Sequence, residues 1–103
     1  MPPLTPANAV VLRARWETLS ARQQQVALLV INENLTNNQV AQRLVLSLNT
    51  VKSHLSAVYA SLGVENRLEL RLAMLFTKYL YELLENQPAA SGEEETPSSP
   101  PAL

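Results

Sequence analysis

At 103 residues, with 47% hydrophobic and 17% charged residues and a net charge of −1 at pH 7, the chain has the size and apolar content of one folded domain and falls outside the fully disordered class. It has no Cys, one His, no Asp and two Gly, which excludes a disulfide framework, a thiolate metal site and a thiol nucleophile and leaves no nucleophile–base set, so neither enzymatic activity nor a cofactor or metal is expected. No apolar run is long enough to cross a bilayer, and Met1–Pro6 lacks a secretory pattern, so the expectation is a cytoplasmic protein without a membrane partner.

The charge is unevenly spread. From Arg15 to Arg71, Arg15, Arg22, Arg43, Lys52, Arg67 and Arg71 stand against Glu17, Glu33, Glu65 and Glu69, whereas beyond Arg71 a lone Lys78 faces Glu82, Glu85 and the run Glu93-Glu94-Glu95. The middle is mildly basic and the end acidic, but no basic stripe stands out.

In chain order, Thr5-Pro6 reads as a cap followed by proline at the first helical position, opening a helix through Val10, Val11 and Ala14. Ser20-Ala-Arg-Gln23 and Thr36-Asn-Asn-Gln39 both have the capping-box form, in which a hydroxyl and a Gln side chain satisfy free backbone N–H groups reciprocally. The first predicts a helix from Ala21 to about Asn32 with Val26, Leu29 and Val30 on one face, ending at Asn34 in the left-handed conformation. The second predicts a short helix carrying Val40, Ala41 and Leu44. After the turn Val45-Leu46-Ser47, Ser47 caps a helix whose inner face is Val51, Leu55, Val58 and Leu62 and which Gly63 stops. Asn66 caps a last helix to roughly Glu85, ~30 Å long at 1.5 Å per residue. No strand is expected, and residues 87–103, with four Pro and three consecutive Glu, read as a disordered tail. The division is an N-terminal helical extension at 1–18, a folded domain at 19–86 and the tail at 87–103.

Two short helices joined by a tight turn and bracketed by helices have the layout of a helix-turn-helix. Ala41 is small where the second helix crosses the first, and Leu44, Leu46 and Val51 wedge the crossing angle. With Val51, Leu55 and Val58 inward, Asn49, Lys52, Ser53, Ser56 and Ala60 point outward, where such a helix can enter a major groove of about 12 Å width.

At these residues the chain resembles the LuxR-type (GerE) helix-turn-helix domain of bacterial regulators. The resemblance runs from Leu19 to Leu70 through LSARQQQV (Leu19–Val26), LTNNQVAQRL (Leu35–Leu44), SLNTVKSH (Ser47–His54) and LGVENR (Leu62–Arg67). Region four of sigma factors shares the TVKS element, but His54 and the LGVENR closure favour the LuxR type. The resemblance implies an all-α, four-helix LuxR-type domain, here with an extra N-terminal helix and an elongated last helix. It also implies a nucleoid-associated transcription regulator, stand-alone and without an evident small-molecule ligand, that binds double-stranded DNA as a homodimer on two half-sites.

Asn49, Lys52, Ser53 and Ser56 are the candidate base contacts. Thr36, Asn37, Asn38, Ser47 and Thr50, short polar residues at positive helix starts, are the candidate phosphate contacts. Leu72, Leu75, Phe76, Tyr79, Leu80 and Leu83 are the candidate dimer interface, within an apolar band wider than one small core needs. Gln23, Gln25 and Gln39 stand where the family usually has Glu, Asn34 where Gly is frequent and Ser61 where Lys is frequent. Lys52 is the one full positive charge of the recognition helix, which predicts low affinity. His54 reads as a partly buried structural residue or a phosphate neighbour, Arg22 and Arg67 as partners of Glu33, Glu65, a helix end or phosphate, and Trp16, Tyr79 and Tyr81 as packing or dimer residues. The competing expectation is a protein-interaction module, an inhibitor or heterodimer partner of another regulator, in which the fold persists and DNA binding is weakened.

Overall fold

The cap residues set where each helix begins. In a computed structural model that describes residues 1–86, the hydroxyls of Thr5, Ser20, Thr36 and Ser47 and the carboxamide oxygen of Asn66 each accept a hydrogen bond from the backbone N–H three residues on, opening α1 (Pro6–Glu17), α2 (Ala21–Glu33), α3 (Asn37–Leu44), α4 (Leu48–Leu62) and α5 (Arg67–Glu85). Both capping boxes close: the N–H groups of Ser20 and Thr36 donate to the Gln23 and Gln39 side chains at 3.0 and 2.8 Å. Among the described residues the fold is all-helical, without a strand. The expected tail at 87–103 lies outside the described residues.

Helix ends are closed by left-handed residues. Asn34, Val45 and Gly63 have φ of 52°, 56° and 72°, and the N–H groups of Leu46 and Val64 reach back to the Ala41 and Tyr59 carbonyls, completing the last turns of α3 and α4. Asn and Gly tolerate this conformation. Val45 does not, and a β-branched residue there stores on the order of 1–2 kcal/mol of strain. The sequence predicts a turn at this point but not its strain.

The core is a single cluster in which Val26, Val30 and Ile31 of α2, Val40 and Ala41 of α3, Val51, Leu55, Val58 and Leu62 of α4 and Leu70, Ala73 and Met74 of α5 are buried. Leu44 and Leu46 flank it partly buried, so Val51 provides the buried part of the turn's wedge. α1 packs mainly on α5, burying Ala9 and Leu12, and Trp16 leans on the core. The Gln24 side chain donates to the Trp16 carbonyl at 2.9 Å and Arg71 Nε to the Ile31 carbonyl at 3.2 Å, so carbonyls of the last turns of α1 and α2 are tied to neighbouring helices.

α5 is apolar on both sides, and its inner side is Leu70, Ala73, Met74 and Thr77. The buried Thr77 hydroxyl donates to the Ala73 carbonyl at 2.8 Å, so this polar group is satisfied within its own helix. Leu68, Leu72, Leu75, Tyr79 and Leu83 are exposed on the opposite side. No described helix is long and apolar enough to cross a membrane.

Candidate nucleic-acid interface

α3 and α4 are held rigidly from behind. Val40, Ala41, Val51, Leu55, Val58 and Leu62 are all buried, which fixes the direction in which the other side of α4 points. Asn49, Lys52, Ser53, Ser56 and Ala60 are exposed, as the periodicity requires, and His54 is half-buried beside Leu55. The four candidate base-contacting residues therefore share one open helix face.

The residues placed on phosphates by the sequence reading fall into two groups. Ser47 and Thr50 are engaged with each other, their hydroxyls 2.8 Å apart and the Thr50 N–H donating to Ser47 Oγ. The Thr36 hydroxyl is likewise used by the Gln39 N–H. Asn38 is exposed, and Asn37 accepts from Arg67 at 3.1 Å through its side-chain oxygen. A second guanidinium nitrogen of Arg67 donates to Asn34 Oδ1 at 3.4 Å.

That arrangement gives Glu33 and Arg67 partners that the sequence left open. Glu33 is taken by Arg43, at 3.4 Å, and not by Arg22 or Arg67. Arg67 instead crosses from the start of α5 to the α2–α3 loop and to the start of α3, links of 33 and 30 residues along the chain that no local pattern reveals. Together with Lys52, Asn34, Asn37 and Asn38 it lines an open notch of about 520 Å³. Its lining holds two cations and no carboxylate, so it suits an anion. Burial pushes the Tyr59 phenol above its usual range, and the nearby Arg67 charge opposes part of that shift.

Residues 17–74 match the family of bacterial regulatory proteins described as the luxR family. The chain belongs to this LuxR family. Over 55 residues it is 42% identical to two proteins named "Putative HTH-type transcriptional regulator", Rv0890c of Mycobacterium tuberculosis and Mb0914c of Mycobacterium bovis. The aligned stretch is 53% of this chain and 6% of each relative's length. No solved structure matches it.

α1 up to Trp16 and α5 beyond Met74 lie outside the LuxR-family match, and they meet each other: the Arg13 guanidinium sits 4.5 Å from the centre of the Tyr81 ring, within cation–π range. Trp16 packs against the core and Tyr81 is half-buried under Arg13, whereas Tyr79 is exposed. The groove between α1, α2 and distal α5, about 450 Å³, is lined by Arg13 and Lys78 but also by Glu17, Glu82 and Glu85, so the acid-free notch beside Lys52 has no counterpart there.

Within the LuxR-type pattern, Gln39 has a physical consequence. Its neutral side chain closes the α3 capping box without placing a carboxylate at the edge of the notch. The helix start keeps its cap and a partly positive character.

Proposed function

We propose that this chain is a transcription regulator that inserts α4 into the major groove of double-stranded DNA. The observation that carries this reading is the division of α4 into a fully buried apolar side and an exposed side bearing Asn49, Lys52, Ser53 and Ser56. Lys52 and Asn49 supply donors to base edges, with Ser53 and Ser56 adding short hydroxyl contacts. The α3 start, with Thr36, Asn37 and Asn38, and the α4 start, with Ser47 and Thr50, lie against phosphates through backbone N–H groups and short polar side chains. Arg67 adds a charge to the phosphate contacts from the rim of the notch.

The proposed dimer forms through the outer side of α5. Leu68 is 61% and Tyr79 63% exposed, with Leu72, Leu75 and Leu83 in the same row and Phe76 and Leu80 half-buried at its edge. An apolar row of this length on a soluble helix favours a partner. Two copies paired there bind two half-sites as one unit and offset the small charge of a single recognition helix.

The proposed regulator is cytoplasmic and non-enzymatic. One observation favours the second reading, an interaction module that pairs with another regulator: Lys52 is the single cation on α4, while the apolar row on α5 is long. Mobility shift on a pool of duplexes at 50 and 200 mM salt separates the two. Retarded, salt-sensitive complexes that Lys52→Ala weakens support the DNA reading; no complex at either salt sinks it.

A further inference from the structure

The half-buried Arg67 is held in a way that leaves its charge intact. Its two anchors, Asn34 Oδ1 at 3.4 Å and Asn37 Oδ1 at 3.1 Å, are neutral carboxamide oxygens. Among the described residues no carboxylate pairs with it, and Glu33, which precedes Asn34 in the chain, is turned to Arg43. The two bonds engage one N–H on each terminal nitrogen, which leaves the Nε–H and the other terminal N–H groups for a ligand. Neither carboxamide is required by the helix it adjoins. Asn34 ends α2 in the left-handed conformation, φ 52°, a task that Gly performs without a side chain. Asn37 opens α3, but the Thr36 hydroxyl supplies the cap there. What the two side chains share is Arg67.

We propose that Asn34 and Asn37 are positioning residues for Arg67, fixing its guanidinium at the rim of the notch so that it and Lys52 grip one phosphoryl group. That this group is a DNA backbone phosphate rests on the DNA-binding reading above; a free phosphate presents the same oxygens. A guanidinium fixed in advance loses less side-chain freedom on binding than a solvated one, and its remaining donors form charge-assisted bonds to phosphate oxygens. An aspartate at either position would hold Arg67 as well and cancel the charge that the notch offers. On this assignment the Asn37 side chain serves the phosphate through Arg67, and Asn37 touches it only through its backbone N–H.

A double-mutant cycle on the full chain, titrated into labelled duplexes, tests this. Arg67→Gln removes the charge, Asn34→Gly keeps the left-handed turn, and Asn37→Ala keeps the Thr36 cap and the backbone N–H. Arg67→Gln should weaken binding about 5- to 10-fold at 100 mM salt on every sequence alike and lower the log–log salt slope by about 1. Asn34→Gly with Asn37→Ala should weaken binding about 3-fold where Arg67 is present and have no further effect beside Arg67→Gln. Asn37→Asp should lower the salt slope as Arg67→Gln does. Equal weakening in both backgrounds, or none in either, overturns the positioning role. If the wild type binds no duplex, the DNA-binding reading falls by itself, and the same cycle is read from the NMR signals of Lys52 and Asn38 with inorganic phosphate. Shifts that Arg67→Gln abolishes and the paired substitutions weaken support the positioning role; signals that phosphate leaves unmoved overturn it.

Discussion

The outer faces of α4 and α5 are both open to solvent, yet one is polar and the other apolar. On α4 the exposed residues are Asn49, Lys52, Ser53 and Ser56; on α5 they are Leu68, Leu72, Leu75, Tyr79 and Leu83. A polar face needs no cover, and its chemistry suits a hydrated, charged partner such as DNA. An apolar row left in water forgoes roughly 25 cal/mol for every Å² that a partner could bury, which is the physical basis of the proposed dimer. The same core supports both faces, so each can be disabled without unfolding the other.

Substitutions on the two sides of α5 give the sharpest contrast. Leu70 is fully buried and Leu72 is 45% exposed, so Leu70→Ala should cost about 2–5 kcal/mol in a denaturant titration, whereas Leu72→Ala should stay within about 1 kcal/mol. Equal losses would mean that the outer side is also core. Next in size, Leu75→Glu with Tyr79→Glu should give a folded monomer by light scattering, with affinity for a two-half-site duplex reduced about 100-fold. A wild-type protein already monomeric at tens of micromolar removes the dimer.

On α4, Lys52→Ala should weaken specific binding by about 1–3 kcal/mol and leave the melting temperature unchanged, because Lys52 makes no hydrogen bond or ion pair among the described residues. Thr36→Ala acts on both fold and binding. It removes the α3 cap, at about 1 kcal/mol of stability, and should weaken binding uniformly across DNA sequences; a changed base preference would contradict the phosphate assignment. The smallest effect belongs to the turn between the two helices. Val45→Gly should raise stability by about 0.5–1 kcal/mol, since relief of left-handed strain exceeds the entropy cost of Gly, visible as a rise of a few degrees in Tm by calorimetry.

Elements governed by local chemistry were legible in the sequence. The two capping boxes, Ser47 as a cap, Gly63 as a stop and the inner row Val51–Leu55–Val58–Leu62 depend on residues within a few positions of each other, and the structure shows each of them. The outward direction of Asn49, Lys52, Ser53 and Ser56 follows from the same periodicity. α5 was less legible because its apolar residues run around the helix, so pattern alone does not separate the buried Leu70 and Met74 from the exposed Leu68, Leu72 and Leu75. Contacts that cross the chain were not legible at all. The tie from Arg67 to Asn34 and Asn37, and with it the cationic notch, requires α5 to begin beside the α2–α3 loop, which no spacing in the sequence encodes. Val45 is a third kind of case, in which tertiary closure of the turn imposes a conformation that its residue type disfavours.

If the polar face of α4 reads DNA, binding depends on Lys52. Fluorescence anisotropy of labelled duplexes, titrated with wild-type protein and with Lys52→Ala at 50, 100 and 200 mM salt, tests it most directly. Wild-type binding should be saturable, prefer some sequences, fall with salt by a small log–log slope reflecting few phosphate contacts, and lose its preference in the variant. Wild-type and Lys52→Ala curves that superimpose at every salt concentration, or no binding by the wild type at 50 mM, would contradict it.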